Sequence, residues 1–257
     1  MPEQTENEAE LIVTRDGSHT VYSSRFDQHY HNPNGAVAES RYVFFEQTGL
    51  LDALDERSQI TILEIGFGTG LNLLLLLDYY LDHNSQAKIN YYSIEGFPLL
   101  TGKAQNLNFG NHINHPKLAS EVISVFNNLS EGINHFSISG ISVQLFNGMF
   151  EDFNFNGIDA NYIFHDAFSP EVNPDLWTGS VFKKLTRLSA DDVILSTYCA
   201  ASKARGAMAS ADWKIARARG ALGKREMTLA ALDTNRLGNL KRVNEERLAR
   251  RYEEDDF

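Results

Sequence analysis

The chain of 257 residues is long enough for one large α/β domain, or a core domain with additions, and for a sizeable buried core. Its single cysteine, Cys199, excludes an intramolecular disulfide and a cysteine-based zinc cluster, while 42% apolar and 22% charged residues are ordinary for a soluble globular protein. The formal net charge of −11 argues against indiscriminate binding to nucleic acid.

That charge is uneven. Between Lys183 and Glu226 ten Lys/Arg face four Asp/Glu, a surplus of six that leaves −17 for the rest of the chain. Such a segment suits either one particular polyanion or merely solvated helix faces, and the charges alone favour the second. The acidic, polar start MPEQTENEAE is not a signal peptide, and the longest unbroken apolar run, Leu73–Leu77, is far too short to span a bilayer. A soluble cytoplasmic protein with no membrane partner is the expectation.

In chain order, residues 1–10 read as a disordered tail. Leu11–Arg15 and Thr20–Ser24, around Asp16-Gly17, predict a β-hairpin. The stretch SRFDQHYHNPNGAVAESRYVFFE holds Asp27, His29, Tyr30 and His31, but H-x-H without a third clear ligand favours an ordinary polar loop over a metal site. Then comes TILEIGFGTGLN. A β-branched run leads through Glu64 into Gly66, Gly68 and Gly70, and an apolar helix runs on to about Asp82. Glycines between a strand and a helix let a cofactor approach the backbone. The spacing GxGxG is neither the dinucleotide GxGxxG nor the phosphate loop, whose Lys is missing. An acid at the strand end and a second one after the next strand suit a ligand with a ribose and no phosphates, such as S-adenosylmethionine (SAM); a turn serving packing alone is the alternative.

Ile89–Ile94 predicts the next strand, with Glu95 placed to accept the ribose hydroxyls. Residues 99–136 read mainly as helices with Asn-rich joints at 105–115 and 127–128. Ser142–Phe146 alternates as a strand and breaks at Asn147-Gly148, where an adenine would lie in a doubly wound fold. Asn161–Phe164 is a short strand ending in His165-Asp166-Ala167-Phe168-Ser169-Pro170. Asp166 there would sit over the cofactor's reactive end, or be an ordinary turn or cap aspartate. A helix from Asp175 to about Leu188, a strand Val193–Tyr198, a helix with Lys203 and Arg205, and an antiparallel pair Trp213–Arg219 with Glu226–Leu232 complete the core. The charged tail 235–257 reads as an exposed or partly frayed helix. The order predicts a Rossmann-like α/β fold: a mostly parallel seven-stranded sheet with an antiparallel last strand and an N-terminal hairpin extension.

Five pieces, SRFDQHYHNPNGAVAESRYVF, GFGTGLNLL, SIEGFPL, HDAFSPEVNPDLWT and GKREMT, stand in order from about residue 24 to 228. Through them the chain resembles the class I SAM-dependent methyltransferases that act on aminomethyl-uridine at the tRNA wobble position. That activity forms the N-terminal half of the bifunctional 5-methylaminomethyl-2-thiouridine synthesis enzyme and also occurs as a stand-alone protein. The chain ends where a flavin oxidase half would begin, so the resemblance implies the stand-alone form with SAM, no FAD and no metal. It implies a tail, hairpin and pocket-covering segment over 1–45, a methyltransferase domain over 46–232 and a charged tail over 233–257.

By the same resemblance Glu64, Gly66, Gly68, Gly70, Asn72, Glu95, Asn147, Gly148 and Asp166 form the cofactor site. Asp166 is the catalytic candidate, accepting a hydrogen bond from the amine and taking or relaying its proton. Tyr30, Arg41, Phe168 and Pro170 would line the substrate side, with Tyr42 in the covering segment. Asn173, Pro174 and Trp177 would frame the loop, Trp177 by packing. Arg205, Lys224 and Arg225 would meet tRNA phosphates. Met149 departs from an Asp in relatives, which removes a side-chain contact to adenine, and Ser202 departs from a Gly. A monomer is compatible with all of this. The alternatives are a methyltransferase of the same fold acting on a small amine or a protein, a non-catalytic SAM-fold module, and, least favoured by the glycine spacing, a nicotinamide oxidoreductase.

Overall fold

A computed structural model describes residues 9–154 and 157–257. The reading of a disordered tail over residues 1–8 lies outside them; Ala9 and Glu10 already belong to a strand.

Strand β1 (Ala9–Val13) pairs antiparallel with β2 (His19–Ser23), Leu11 opposite Val21, and β3 (Gln28–His29) adds a third strand on β2. The hairpin predicted around Asp16-Gly17 is present: Ser18 N donates to Asp16 Oδ1 at 3.0 Å and Gly17 takes φ 85°, the geometry that favours glycine. Helix α1 (Ala36–Ser40) runs into a π-helical turn, Arg41–Glu46, and α2 (Leu50–Glu56) follows. Val43, Phe44 and Phe45 of the turn are buried, with Phe44 packed on Phe164 at 5.1 Å between ring centres.

The main sheet contains β4 (Gln59–Ile65), β5 (Lys88–Glu95), β6 (Gly132–Ile138), β7 (Ile141–Asn147), β8 (Ala160–His165), β9 (Ser189–Thr197), β10 (Lys214–Ala218), β11 (Met227–Ala231) and β12 (Lys241–Arg242). Its order is β12-β10-β11-β9-β8-β4-β5-β7-β6. Strands β7, β5, β4, β8 and β9 are parallel; β11 runs antiparallel between β9 and β10. Helices α3 (Leu71–Asp82), α4 (Thr101–Ala104), α5 (Leu118–Asn127), α6 (Gly179–Arg187), α7 (Ser202–Ala209) and α8 (Glu245–Glu253) cover it. Because successive residues of a strand face opposite sides, Ile62 joins the core under α3 and α5, and Leu63 joins the core under α6 and α7. Both faces are apolar, as a covered parallel sheet requires.

The predicted mostly parallel sheet with an antiparallel last strand is found, with two corrections to its width. Residues 132–136, at the end of the stretch read mainly as helices, belong to the edge strand β6; Ser139 (φ 47°) and Gly140 (φ 88°) make the tight turn that folds it onto β7. Its face alternates, but Ile133 is half exposed and His135 is polar, so the apolar contrast that marks an inner strand is weak. The tail does hold a helix without a buried residue, α8, but it also adds a strand. Lys241 and Arg242 pair with β10, and α8, capped by Asn244 accepting from Arg247 N at 2.8 Å, lies against α7. A Cβ on Gly206 would come within 3.0 Å of Leu248 O, and Gly179 N donates to the Tyr252 hydroxyl at 3.0 Å. The helix expected from Asp175 begins later. Pro174–Trp177 is a 3₁₀ turn, and Thr178 caps α6. Among the described residues no helix is long and apolar enough to cross a membrane.

Candidate active site

The carboxyl ends of β4, β5 and β8 open into a cavity of about 500 Å³, where ligands bind in open α/β sheets. Its floor is the glycine turn. Gly66 (φ 96°) packs so close to the β8 loop that a Cβ would lie 2.8 Å from Asp166 O, and a Cβ on Gly68 would lie 3.1 Å from the Tyr30 ring. Both glycines line the cavity. Gly70 does not: it sets the left-handed entry to α3 and faces Val122 and Phe67.

Glu95 sits at the cavity wall with both oxygens oriented by backbone, Oε2 accepting from Gly68 N at 2.8 Å and Oε1 from Phe97 N at 2.7 Å. Burial raises its pKa, and those N–H donors work against the rise. Each oxygen keeps a lone pair for a ligand hydroxyl. Glu64 is a correction. It is fully buried behind the wall, where Oε2 accepts from Ser93 Oγ at 2.6 Å and Oε1 from Asn72 Nδ2 at 3.0 Å, and burial pushes its pKa to about 7. It supports the site from beneath. Asn72 lines the cavity and also donates to Asp166 Oδ2 at 2.9 Å. Asp166 faces the cavity with its pKa raised well above the usual carboxylate range, first by burial and then by the nearby Glu64 charge.

Opposite the floor stands a group of aromatic rings. Phe168 stacks on Phe26 at 4.5 Å and meets Tyr30 edge-on at 5.0 Å, while Phe26 meets Phe97 at 5.5 Å. Ser169 N donates to Gln28 Oε1 at 3.2 Å, which ties the β8 loop to the N-terminal sheet. Sequence reasoning missed Phe26, Gln28 and Phe97, although the first two stand inside SRFDQHYH; a string read as a polar loop hid a ring that covers a cavity. Tyr198 also went unnoticed; it lines the cavity, and its hydroxyl donates to Ala167 O at 2.8 Å. His31 shares a 2.6 Å hydrogen bond with Thr69 Oγ1, and burial lowers its pKa to about 4.

Pro170 follows in the same loop but does not line the cavity. Trp177 is framework: Nε1 donates to Phe168 O at 2.8 Å, and its ring lies 4.4 Å from that of His165, which burial keeps neutral with a pKa of about 4. The adenine-side expectation shifts by a residue or more. Asn147 turns away, donating to Ser130 O at 3.2 Å, and Gly148 N bonds Glu95 O at 2.9 Å, while Met149, Phe150 and Glu151 line the cavity.

The cationic candidates separate. Arg205 is a correction: it is 5% exposed and spends its donors on Thr228 Oγ1, Glu226 Oε2 and Met227 O, so it braces the β9–β11 region from within. Arg41 lies outside the cavity, donating to His112 O at 2.6 Å. Lys224 pairs with Glu39 at 2.7 Å and sits 5.0 Å over the Tyr198 ring, beside the cavity; Arg225 is exposed.

Residues 132–233 match the profile of a family described as S-adenosyl-L-methionine-dependent methyltransferase. The sheet order is that of a Rossmann-like α/β fold, and the matched segment runs from its edge strand β6 to the end of β11. Among curated proteins the chain is similar to the tRNA 5-methylaminomethyl-2-thiouridine biosynthesis bifunctional protein MnmC of Cupriavidus metallidurans, 31% identical over 232 residues, covering 86% of this chain and 34% of the relative. The protein of the same name from Leptospira interrogans is 30% identical over 231 residues, covering 86% and 35%. The chain thus spans about a third of the length of the curated relatives it matches. The crystal structure of MNMC2 from Aquifex aeolicus shares the fold, with a TM-score of 0.74 at 24% identity over 97% of this chain and 77% of that one.

Proposed function

We propose that this protein transfers the methyl group of SAM to the aminomethyl group of 5-aminomethyl-(2-thio)uridine at the wobble position of tRNA, in the cytoplasm, giving the 5-methylaminomethyl form. One observation carries the reading. A single cavity joins a backbone-oriented carboxylate, Glu95, to a second carboxylate, Asp166, that faces stacked aromatic rings. The first suits a ribose, the second an amine, and the rings suit a base taken out of its stack. The names of the similar curated proteins supply the particular substrate.

The residues present fit the cofactor: Gly66 and Gly68 bring bare backbone to the cavity, and the Glu95 carboxylate beside them, oriented by backbone N–H groups, keeps lone pairs for hydroxyls. When bound, SAM supplies an electrophilic methyl, whose bond to sulfur breaks with the electron pair staying on sulfur as the bond to nitrogen forms. The protein's part is to present the amine's lone pair. Asp166 accepts an N–H of the amine, orients it, and takes the proton that the nitrogen sheds. Its raised pKa suits a group that must receive a proton. Phe26, Tyr30 and Phe168 hold the pyrimidine, and Lys224, over the cavity-lining Tyr198 ring, and the exposed Arg225 next to it in sequence meet phosphates. The test is transfer of labelled methyl from SAM to tRNA from cells that lack this modification step. Label is expected in that tRNA and not in fully modified tRNA; equal labelling of both, or of neither, overturns the reading.

A further inference from the structure

Asn72 is 2% exposed, and its amide is fixed by what surrounds it. Nδ2 lies 3.0 Å from Glu64 Oε1 and 2.9 Å from Asp166 Oδ2, so both of its hydrogens are spent on carboxyl oxygens. Turned over, the amide would set its oxygen against two acceptors, so hydrogen bonding selects the present orientation. Glu64 is in turn held by Ser93 and sits in the sheet, which makes the anchor rigid. The other side of the amide is unsatisfied: Oδ1 is buried with no hydrogen-bond partner, on a residue that lines the cavity. Asp166 meets the Asn72 amide through Oδ2, and the residue lines the same cavity, so its other oxygen, Oδ1, is the neighbouring acceptor. The two side chains are joined through the amide that fixes them both. A buried acceptor such as Asn72 Oδ1 is seldom left without a ligand.

We infer that Asn72 Oδ1 and Asp166 Oδ1 form a paired receptor for one amine nitrogen, and that this pair limits the enzyme to a single methyl transfer. The inference rests on the proposed function. A neutral primary amine carries two N–H bonds and one lone pair. With each hydrogen held by one of the two oxygens, the lone pair is left facing the electrophilic methyl. Transfer forms N–C, breaks C–S, and leaves an ammonium whose proton passes to Asp166. The product amine has one N–H. A second transfer would require its new methyl to point at one of the two acceptors, which a carbon cannot satisfy. Asn72 is therefore a positioning and specificity residue.

The test uses Asn72→Ala and, as a smaller disturbance of the helix start, Asn72→Ser in the full chain. Calorimetry gives the SAM Kd, and mass spectrometry of nucleosides from the reacted tRNA counts methyl groups per amine. We expect turnover to fall about tenfold, SAM affinity to stay within about threefold, and a dimethylated nucleoside to appear beside the monomethylated one. A tenfold loss of SAM affinity with only monomethyl product would assign the same receptor to the cofactor's own α-ammonium, leaving the paired acceptors in place but overturning the methyl limit. Unchanged SAM affinity with monomethyl product alone, at whatever rate, overturns the inference altogether. Failure of wild-type protein to label tRNA would instead overturn the proposed function, while the calorimetric arm still reads the receptor.

Discussion

The floor of the cavity and its cover are built on opposite principles. In the floor every carboxyl is held by directed hydrogen bonds: Glu95 by two backbone N–H groups, Glu64 by Ser93 and Asn72, Asp166 by Asn72. In the cover the contacts are chiefly between rings, with Phe26, Tyr30, Phe97 and Phe168 meeting at 4.5 to 5.5 Å and Gln28 adding a bond to Ser169 N. Directed bonds fix atoms to a fraction of an ångström, which in-line chemistry needs; stacked rings accept a flat base without fixing its edge. The cover is thus suited to admit, and the floor to react.

The contrast can be broken most decisively at Asp166. Asp166→Ala should lower turnover by about 100- to 10,000-fold while SAM affinity stays within a few-fold; a variant with unchanged turnover removes Asp166 from the chemistry. Next in size, Arg205→Ala should cost about 2 to 4 kcal/mol of stability, seen as a lowered Tm, because it empties a buried site and leaves Thr228 Oγ1 and Met227 O without their donor, while Glu226 keeps Arg217. A stable variant with weakened tRNA binding would return Arg205 to the substrate side.

Glu64 gives a pH signature. Below about pH 4.5, its ordinary value, the carboxyl is protonated whether the chain is folded or not; as pH rises, the unfolded chain ionises first, so native stability declines up to about pH 7 and is level above it. Glu64→Gln keeps the acceptor for Asn72 and removes that charge. It should therefore flatten part of the decline and exceed wild-type stability above pH 7 by about 3 kcal/mol; parallel Tm–pH curves for the two proteins would contradict the buried-charge account. The smallest effect belongs to Glu95→Ala, expected to weaken SAM binding roughly ten- to hundredfold by calorimetry, with no loss sinking the ribose role.

The floor was legible in the sequence because it is local. Strand, glycines and helix occupy one stretch, residues 59–82, and Glu95 and Asp166 follow at ends of strands that short runs of apolar and aromatic residues mark. What escaped is what depends on distant pairing. Glu64 carries the motif yet is buried behind the cavity, because Ser93 on the neighbouring strand and Asn72, eight residues on at the start of α3, claim its oxygens. Arg205 is 21 residues from Glu226, with no spacing rule to say that a cation in a basic segment is buried. Phe26 became a cavity residue only because β3 returns beside β2 and lays the segment over the β8 loop. Strand β6 hid because an edge strand keeps one face in solvent.

The most direct measurement of the central claim locates the methyl. Wild-type protein is incubated with SAM and tRNA carrying the unmethylated aminomethyl group, the RNA is cut into oligonucleotides, and the fragments are mapped by mass. The account predicts a gain of one methyl on the wobble uridine alone, abolished in Asp166→Ala. A methyl found at another nucleotide, or undiminished in that variant, would contradict it.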